Sequence, residues 1–331
     1  MTFVASAMQM AARMALPLAT RGRLTILIFH RVLPAPDALL HDVWPAAVFE
    51  ERMRWLRGAF NVLPLDQAVQ RLRAGTLPAR AAAITFDDGY RDNVEVAAPI
   101  LARLGLTATF FIADGYLDGG RMFNDTVYET LRRLPAGEFE LPVGEGGRVV
   151  LSNAASRRAA ADRLLASLKY LPPPERLRVC EALAARLIEP LPDKLMMDSS
   201  QVPELERLGM SIGGHTVHHP ILTSVSANEA RAEIRNNKAR LEALLGHPIA
   251  LFAYPNGGPG RDYAAEHVAM VREAGYAAAV STSFGTATAT TDPFQLPRYT
   301  PWDLRPGRFE SGFVRNARTD ARFVSASARG H

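Results

Sequence analysis

The chain has 331 residues, 48% of them hydrophobic and 22% charged, with a formal net charge of +4 at pH 7. This composition supports a large apolar core and excludes a disordered or collagen-like chain. The basic residues are scattered, mostly as arginine, which argues for a solvated surface and against a nucleic-acid partner. The single cysteine, Cys180, allows neither an internal disulfide nor a cysteine-type zinc site, and reads as a buried thiol on an amphipathic helix.

Residues 1–20 are rich in Ala and Met, but Arg13 interrupts them, so no apolar run is long enough for a stable transmembrane segment. The charge falls inside the apolar part, unlike the order of a secretory signal. Residues 1–23 are read as an amphipathic N-terminal helix or leader, and the protein as cytoplasmic. The run Leu24 to Phe29 is continuous and β-branched, as in a strand buried on both faces. It ends in His30-Arg31. Positions 45–60 and 65–74 read as helices, with a short strand at 61–64 between them. A second apolar run, Ala81 to Phe86, ends in Asp87-Asp88-Gly89-Tyr90. A helix over 93–104, with Gly105 after it, and a strand over 107–113 complete a β-α-β-α-β-α-β order, which signals a parallel sheet or barrel.

From about 119 to 194 the rhythm breaks into Arg/Ala/Leu helices around an irregular, Gly- and Glu-rich stretch at 135–151, a possible hairpin. This is read as a helical insertion that caps or walls the main domain. Asn124-Asp125 in it reads either as a pair that reaches a site or as a helix N-cap. The β/α alternation then resumes. A strand at 210–214 ends in His215-Thr216-Val217-His218-His219-Pro220, and a long amphipathic helix covers 227–245. A strand at 249–253 leads into Tyr254-Pro255-Asn256-Gly257-Gly258. A helix at 263–274 and strands at 276–280 and 294–299 follow. Residues 306–331 are read as a polar C-terminal tail.

Two adjacent carboxylates at the end of a buried strand repel each other and are costly to desolvate. A cation or a catalytic task is the economical explanation. His215 and His219 also end a strand, as does His30, and in a barrel of parallel strands that end carries the active face. Two histidines and a carboxylate form a common catalytic zinc or iron set with open positions. His218 is a rival ligand at less suitable spacing.

Together, Thr-Phe-Asp-Asp-Gly-Tyr (85–90) and His-Thr-Val-His-His-Pro (215–220) resemble the polysaccharide deacetylases, the NodB-homology domain of carbohydrate esterase family 4. The resemblance covers most of residues 24–301. It implies an α/β fold, a distorted (β/α)7 barrel spanning 24–305, and metal-dependent removal of N-acetyl groups from amino sugars of a polysaccharide or glycolipid precursor. By that likeness Asp87 is the general base, while Asp88, His215 and His219 bind a divalent ion, with zinc placed ahead of cobalt, nickel or iron. Two positions depart from the pattern. Ala253 stands where the family's third motif often carries an arginine, and Arg298 is the candidate replacement. The Asn256 backbone N–H is a candidate oxyanion donor. No Leu-His occurs near the C-terminus. His30 instead fits a permuted general-acid position, similar to the poly-N-acetylglucosamine deacetylase group. The implied partner is an N-acetylated carbohydrate. The competing readings are hydrolysis of a small amide on the same barrel, and a glycan-binding module without catalysis.

Overall fold

The computed structural model describes residues 10, 14, 16–142, 147–301, 303, 305–319 and 321–325. Most of the N-terminal helix read from the sequence lies outside them. Seven strands form one parallel sheet: β1 (Leu24–Phe29), β2 (Asn61–Val62), β3 (Ala81–Phe86), β4 (Thr109–Ile112), β5 (Ser211–Gly214), β6 (Leu251–Ala253) and β7 (Ala278–Val280). Their order is β1-β3-β4-β5-β6-β7, with β2 pairing the start of β3. The sheet curls until its edges are joined through the segment predicted as a last strand. Leu296 bridges to Val280 on β7, and Tyr299 bridges to Leu27 on β1. Tyr299 donates its N–H to the Ile26 carbonyl (2.7 Å) and accepts from Ile28 N–H (3.1 Å). The segment makes isolated bridges rather than a regular strand, and it completes a distorted barrel.

Strand alternation sorts the core. On β3, Ala82, Ile84 and Phe86 face outward into the main hydrophobic core, while Ala81 and Ala83 belong to a separate inner cluster with Leu24, Ile26, Phe111 and Val280. Helix α2 (Leu65–Arg73) packs on that inner cluster through Leu65, Ala68, Val69 and Leu72, at the level of the first residues of β1 and β3, and so closes that end of the barrel. The outer core is aromatic: Phe86 stacks between Phe29 and Phe110, with centroids 5.3 and 4.8 Å away. Helix α1 (Ala46–Ala59) covers it with Phe49, Met53 and Leu56.

After β3 the chain passes through a π-helical stretch, Asn93–Ala97, into α3 (Ala98–Arg103). The insertion holds α4 (Phe123–Arg133), an antiparallel hairpin of Gly137–Glu140 with Arg148–Leu151, α5 (Ala154–Leu168) and α6 (Pro173–Ala184). It has its own core of Val127, Leu131, Leu164, Leu168 and Leu183, which encloses Cys180. Burial pushes the Cys180 thiol up to about 11, as expected of an inert cysteine. Arg158 of α5 ties the insertion to the loop after β1, with Nη atoms 2.7 and 3.0 Å from the Asp42 carboxylate. Helices α7 (Val202–Arg207), α8 (Ala227–Leu245) and α9 (Ala265–Glu273) complete the outer layer.

The C-terminal stretch departs from the sequence expectation. Residues Arg308–Ala317 form α10, whose Phe309 and Phe313 are fully buried and contact Trp55 at 5.6 and 5.4 Å between centroids. Two phenylalanines four residues apart share one helix face, and that face docks on the barrel. No helix among the described residues is long and apolar enough to cross a membrane.

Candidate active site

All the site residues read from the sequence come together at the C-terminal ends of the strands, around a cleft of about 540 Å³. His30, Asp87, Asp88, His215, His219, Asn256 and Arg298 all line it. Its other wall is the insertion, through Met122, Phe123, Asn124, Leu165 and Lys169.

Asp87 continues the inward-facing register of Ala81, Ala83 and Thr85, so alternation alone turns it into the barrel. Arg298 meets it there from the closing segment. The two guanidinium Nη atoms donate to the two carboxylate oxygens, each at 2.7 Å. Arg298 also donates to Thr85 Oγ1 (3.2 Å) and to the Ser281 carbonyl (2.9 Å), and is 1% exposed. This bidentate pair is fully enclosed and hydrogen-bonded, the arrangement in which a buried ion pair holds geometry best.

Asp88 takes a left-handed backbone (φ 81°) that turns its side chain away from its neighbour's. Its Oδ1 lies 3.5 Å from His215 Nε2 and 3.5 Å from His219 Nε2, and has no hydrogen-bond partner among the described residues. The three side chains offer ligand atoms that all lie within 4.8 Å of one another. His215 Nδ1 donates to the Ala253 carbonyl at 2.7 Å, which fixes the tautomer and leaves Nε2 as a lone-pair donor. An orphaned buried carboxylate oxygen between two imidazole nitrogens fits a divalent cation, and two histidines with one carboxylate is a donor set suited to zinc. His218, the rival, is turned away: its Nδ1 pairs with Glu233 at 2.7 Å.

A family model for polysaccharide deacetylase matches residues 74–141 and 180–279, together just over half of the chain. The chain belongs to the polysaccharide deacetylase family. The gap in that match falls inside the insertion. A Bacillus subtilis relative described as "Putative polysaccharide deacetylase YxkH" is 20% identical over 294 residues, spanning 88% of this chain and 75% of its own. Among solved structures, IcaB from Ammonifex degensii superposes with a TM-score of 0.57 at 17% identity, covering 90% of this chain and 98% of that one. The Streptococcus pyogenes deacetylase PplD, solved with acetate, gives 0.56 at 19%, covering 84% and 92%. These structures share the barrel with this deacetylase.

The electrostatics of the deacetylase site follow from its geometry. Burial pushes the Asp87 carboxyl up, but Arg298 and His215 outweigh it, and the group lies below the usual carboxylate range. Asp88 is likewise pushed up by burial and drawn well below that range by His215 and His219. Burial takes His219 down to about 4, so its imidazole is neutral and available as a ligand at neutral pH. For His215 burial acts in the same direction, but Asp87 and Asp88 reverse it and the net shift is upward. A cation between these groups would replace that proton.

Several supporting residues were not read from the sequence. Asn237 on α8, fully buried, accepts from His215 N–H (2.9 Å) and donates to the Ile112 carbonyl (3.0 Å) and Asp114 Oδ1 (2.6 Å). Glu233, one turn earlier, accepts from the N–H groups of Val217 and His218 (2.8 and 2.7 Å) and so holds the histidine turn. Polar residues at i and i+4 beside the buried Ala230, Ile234 and Leu241 were the available signal. Gly214 permits this approach, because a Cβ there would lie 2.5 Å from Asn237 Oδ1 and 2.2 Å from the Tyr276 hydroxyl. Asp92 and Asn93 hold the loop after β1. Asp92 accepts from Val32 N–H (3.1 Å) and Arg31 Nε (2.8 Å), and Asn93 donates to the His30 carbonyl (2.8 Å). His30 itself stays exposed at the cleft. Six described non-glycine residues have positive φ, and four of them, Asp88, Thr216, His219 and Asn256, lie in the site loops. Strain concentrated there indicates backbone shaped for chemistry rather than for folding.

Proposed function

We propose that this deacetylase is a metal-dependent hydrolase that removes N-acetyl groups from amino sugars of a polysaccharide or glycolipid precursor. The observation that carries the reading is the pairing of two neighbouring carboxylates with different partners: Asp87 is clamped by Arg298, and Asp88 is left open between His215 and His219. A divalent ion held by Asp88, His215 and His219, zinc by the donor chemistry, would supply Lewis acidity and lower the pKa of water in the site.

This chain's own residues do the rest. Asp87 accepts a proton from the attacking water, and Arg298 keeps its carboxylate ionised and aimed. Water oxygen bonds to the acetyl carbonyl carbon, and the Asn256 N–H serves as donor to the resulting oxyanion. His30, exposed and lining the same cleft, gives a proton to the sugar nitrogen as the C–N bond breaks. Acetate and a free amine are the products. Lys169, Leu165 and Phe123 of the insertion line the cleft where the glycan would lie.

The test is acetate release from N-acetylglucosamine oligomers by metal-loaded protein, with bound metal measured on the same sample. Turnover of small amides with none on glycans would overturn the glycan assignment. Glycan affinity without acetate release would overturn the hydrolase. We place the enzyme in the cytoplasm, where the substrate is a sugar precursor rather than finished polymer. Recovery of tagged protein outside the cytoplasmic fraction would refute that placement.

A further inference from the structure

Arg298 is the cation that holds Asp87, yet it rides on a stretch with little regular pairing. The closing segment makes isolated bridges at Leu296 and Tyr299. On the β7 side, Arg298 donates its N–H to the Ser283 carbonyl (2.9 Å) and its Nε–H to the Ser281 carbonyl (2.9 Å). Both carbonyls lie beyond Val280, the last residue of β7. A functional side chain is only as well placed as the groups that hold it, so contacts from outside the sheet must fix residues 281–283.

Residues 321–325, which follow α10, supply such contacts. Arg322 donates its N–H to Ser283 Oγ at 2.6 Å. Two residues on, Val324 donates its N–H to Gln295 Oε1 (2.8 Å), and its carbonyl accepts from Gln295 Nε2 (2.9 Å). The Gln295 amide thus pairs with one backbone residue through both its ends, as a neighbouring strand would. Oε1 also accepts from the Tyr263 hydroxyl (3.3 Å), and Nε2 also donates to Asp292 Oδ2 (3.1 Å). Ser283 and Gln295 are 6% and 4% exposed, whereas Arg322 and Phe323 lie at the surface. A buried amide and a buried hydroxyl that take partners from a surface stretch of backbone make that stretch necessary.

The chain is shaped for this approach. Gly285 has φ 143°, and a Cβ there would lie 3.1 Å from the Ala321 Cβ and from the Thr319 carbonyl. Asn316 of α10, fully buried, donates to the Gly285 carbonyl at 2.9 Å. Phe313 of α10 packs edge-on against Tyr299, the neighbour of Arg298, with centroids 4.9 Å apart. The C-terminal stretch therefore grips both flanks of Arg298: Ser283 and Gly285 on the β7 side, Gln295 and Tyr299 on the closing segment.

We propose that residues 321–325 form a brace that positions Arg298, with Ser283 and Gln295 as positioning residues that act on Asp87 through it. The inference rests on the proposed function, in which Asp87 takes the proton, and adds what keeps that base aimed. None of residues 321–325, Ser283 and Gln295 lines the cleft. Loosening the brace should therefore act on kcat rather than on KM.

The experiment measures kcat, KM and bound zinc for the full chain on N-acetylglucosamine oligomers. One variant is Gln295→Met, which removes the amide at similar volume. The other combines Arg322→Pro with Val324→Pro, which removes both backbone donors. Each is expected to lower kcat on the order of 10-fold, within the roughly 100-fold that a misplacement remote from the chemistry can cost, with KM and zinc content unchanged. In an Arg298→Leu background the same changes should cost nothing further, the coupling expected when one residue acts through another. Hydrogen exchange gives a reading independent of turnover: the Arg298 N–H should lose protection in both variants, while the Phe110 N–H on β4 keeps its own. Full kcat, an equal loss with and without Arg298, loss of zinc, or unchanged protection at Arg298 would each overturn the brace. If Gln295→Met does not fold, judged by thermal melting, the proline pair decides. If Arg298→Leu is too slow to time, the exchange decides. A wild type inert on every glycan defeats the proposed function and this inference together, whereas an active wild type whose variants fail these tests defeats the inference alone.

Discussion

The barrel rim and the insertion face each other across one cleft, and they are built differently. On the rim the central polar pair is saturated: both Asp87 oxygens and both Arg298 Nη atoms are bonded. The histidine turn is held from α8 by Glu233 and Asn237. The insertion has a small aliphatic core, pairs Arg158 with Asp42 of the barrel, and encloses at Asp125 a carboxylate with one oxygen unbonded among the described residues. The difference separates two demands. Proton transfer needs fixed geometry, which the rim supplies. Enclosing one wall of the cleft asks less, and the insertion tolerates a half-bonded buried carboxylate at some cost in stability.

The largest expected effect breaks the rim. Asp88→Ala, or His215→Ala with His219→Ala, should abolish bound metal and lower turnover on the order of 10³-fold or more, the several kcal/mol such an ion supplies. Normal metal content in the double variant, measured by elemental analysis, would sink the ligand assignment. Asp87→Asn comes next. It should keep its metal and lose roughly 10²- to 10⁴-fold in kcat, the range of general-base catalysis. Metal loss in that variant would erase the division of labour between the two neighbours.

Arg298→Leu tests whether the rim is also structural. It strips a buried carboxylate of its counter-ion, which costs about 3–5 kcal/mol, and the melting temperature should fall on the order of 5 °C or more. An unchanged melting point would mean that Asp87 finds another partner.

The smallest effect should come from the insertion, and with the opposite sign. Asp125 has a folded pKa raised to about 7, above its unfolded value. The folded state therefore binds the extra proton between roughly pH 4 and 7, and stability falls as pH rises through that window. Burial drives the shift, Arg31 and the Tyr90 hydroxyl oppose it, and Asp88 and Glu129 add to it. In metal-free protein, Asp125→Asn should melt slightly higher than wild type at pH 8 and alike at pH 4. A lower melting point at pH 8 would show that the carboxylate is a structural anchor.

Much of the rim was legible in the chain. The tandem Asp87-Asp88 after a buried apolar run, and His215 with His219 after a Gly-Gly strand end, announce themselves by adjacency and spacing. Arg298 was found through an absence, because Ala253 stands where a cation was expected. Less was visible in α8 and the insertion. Glu233 and Asn237 look like ordinary polar residues on a long amphipathic helix until their inward face is known. Asn124-Asp125 could equally have capped a helix, but the cap position is Met122, no side-chain cap bond is made, and Asn124 lines the cleft. Phe309 and Phe313 carried a helical spacing within a stretch read as polar tail, and packing against Trp55 settled that stretch as α10.

By itself the sequence determined the parallel β/α order, the strand ends that line the cleft, and the adjacency of the two carboxylates and the spacing of the two histidines that meet there. Those properties depend on period and adjacency, which are local. Tertiary structure decided that Arg298 clamps Asp87 across 211 positions, that the Ala253 carbonyl sets the His215 tautomer, and that Asp125 is buried against Tyr90 and Arg31. These are contacts across a closed sheet and between an insertion and its host. They follow from how the curled sheet brings its edges together, a condition that no window of neighbouring residues contains.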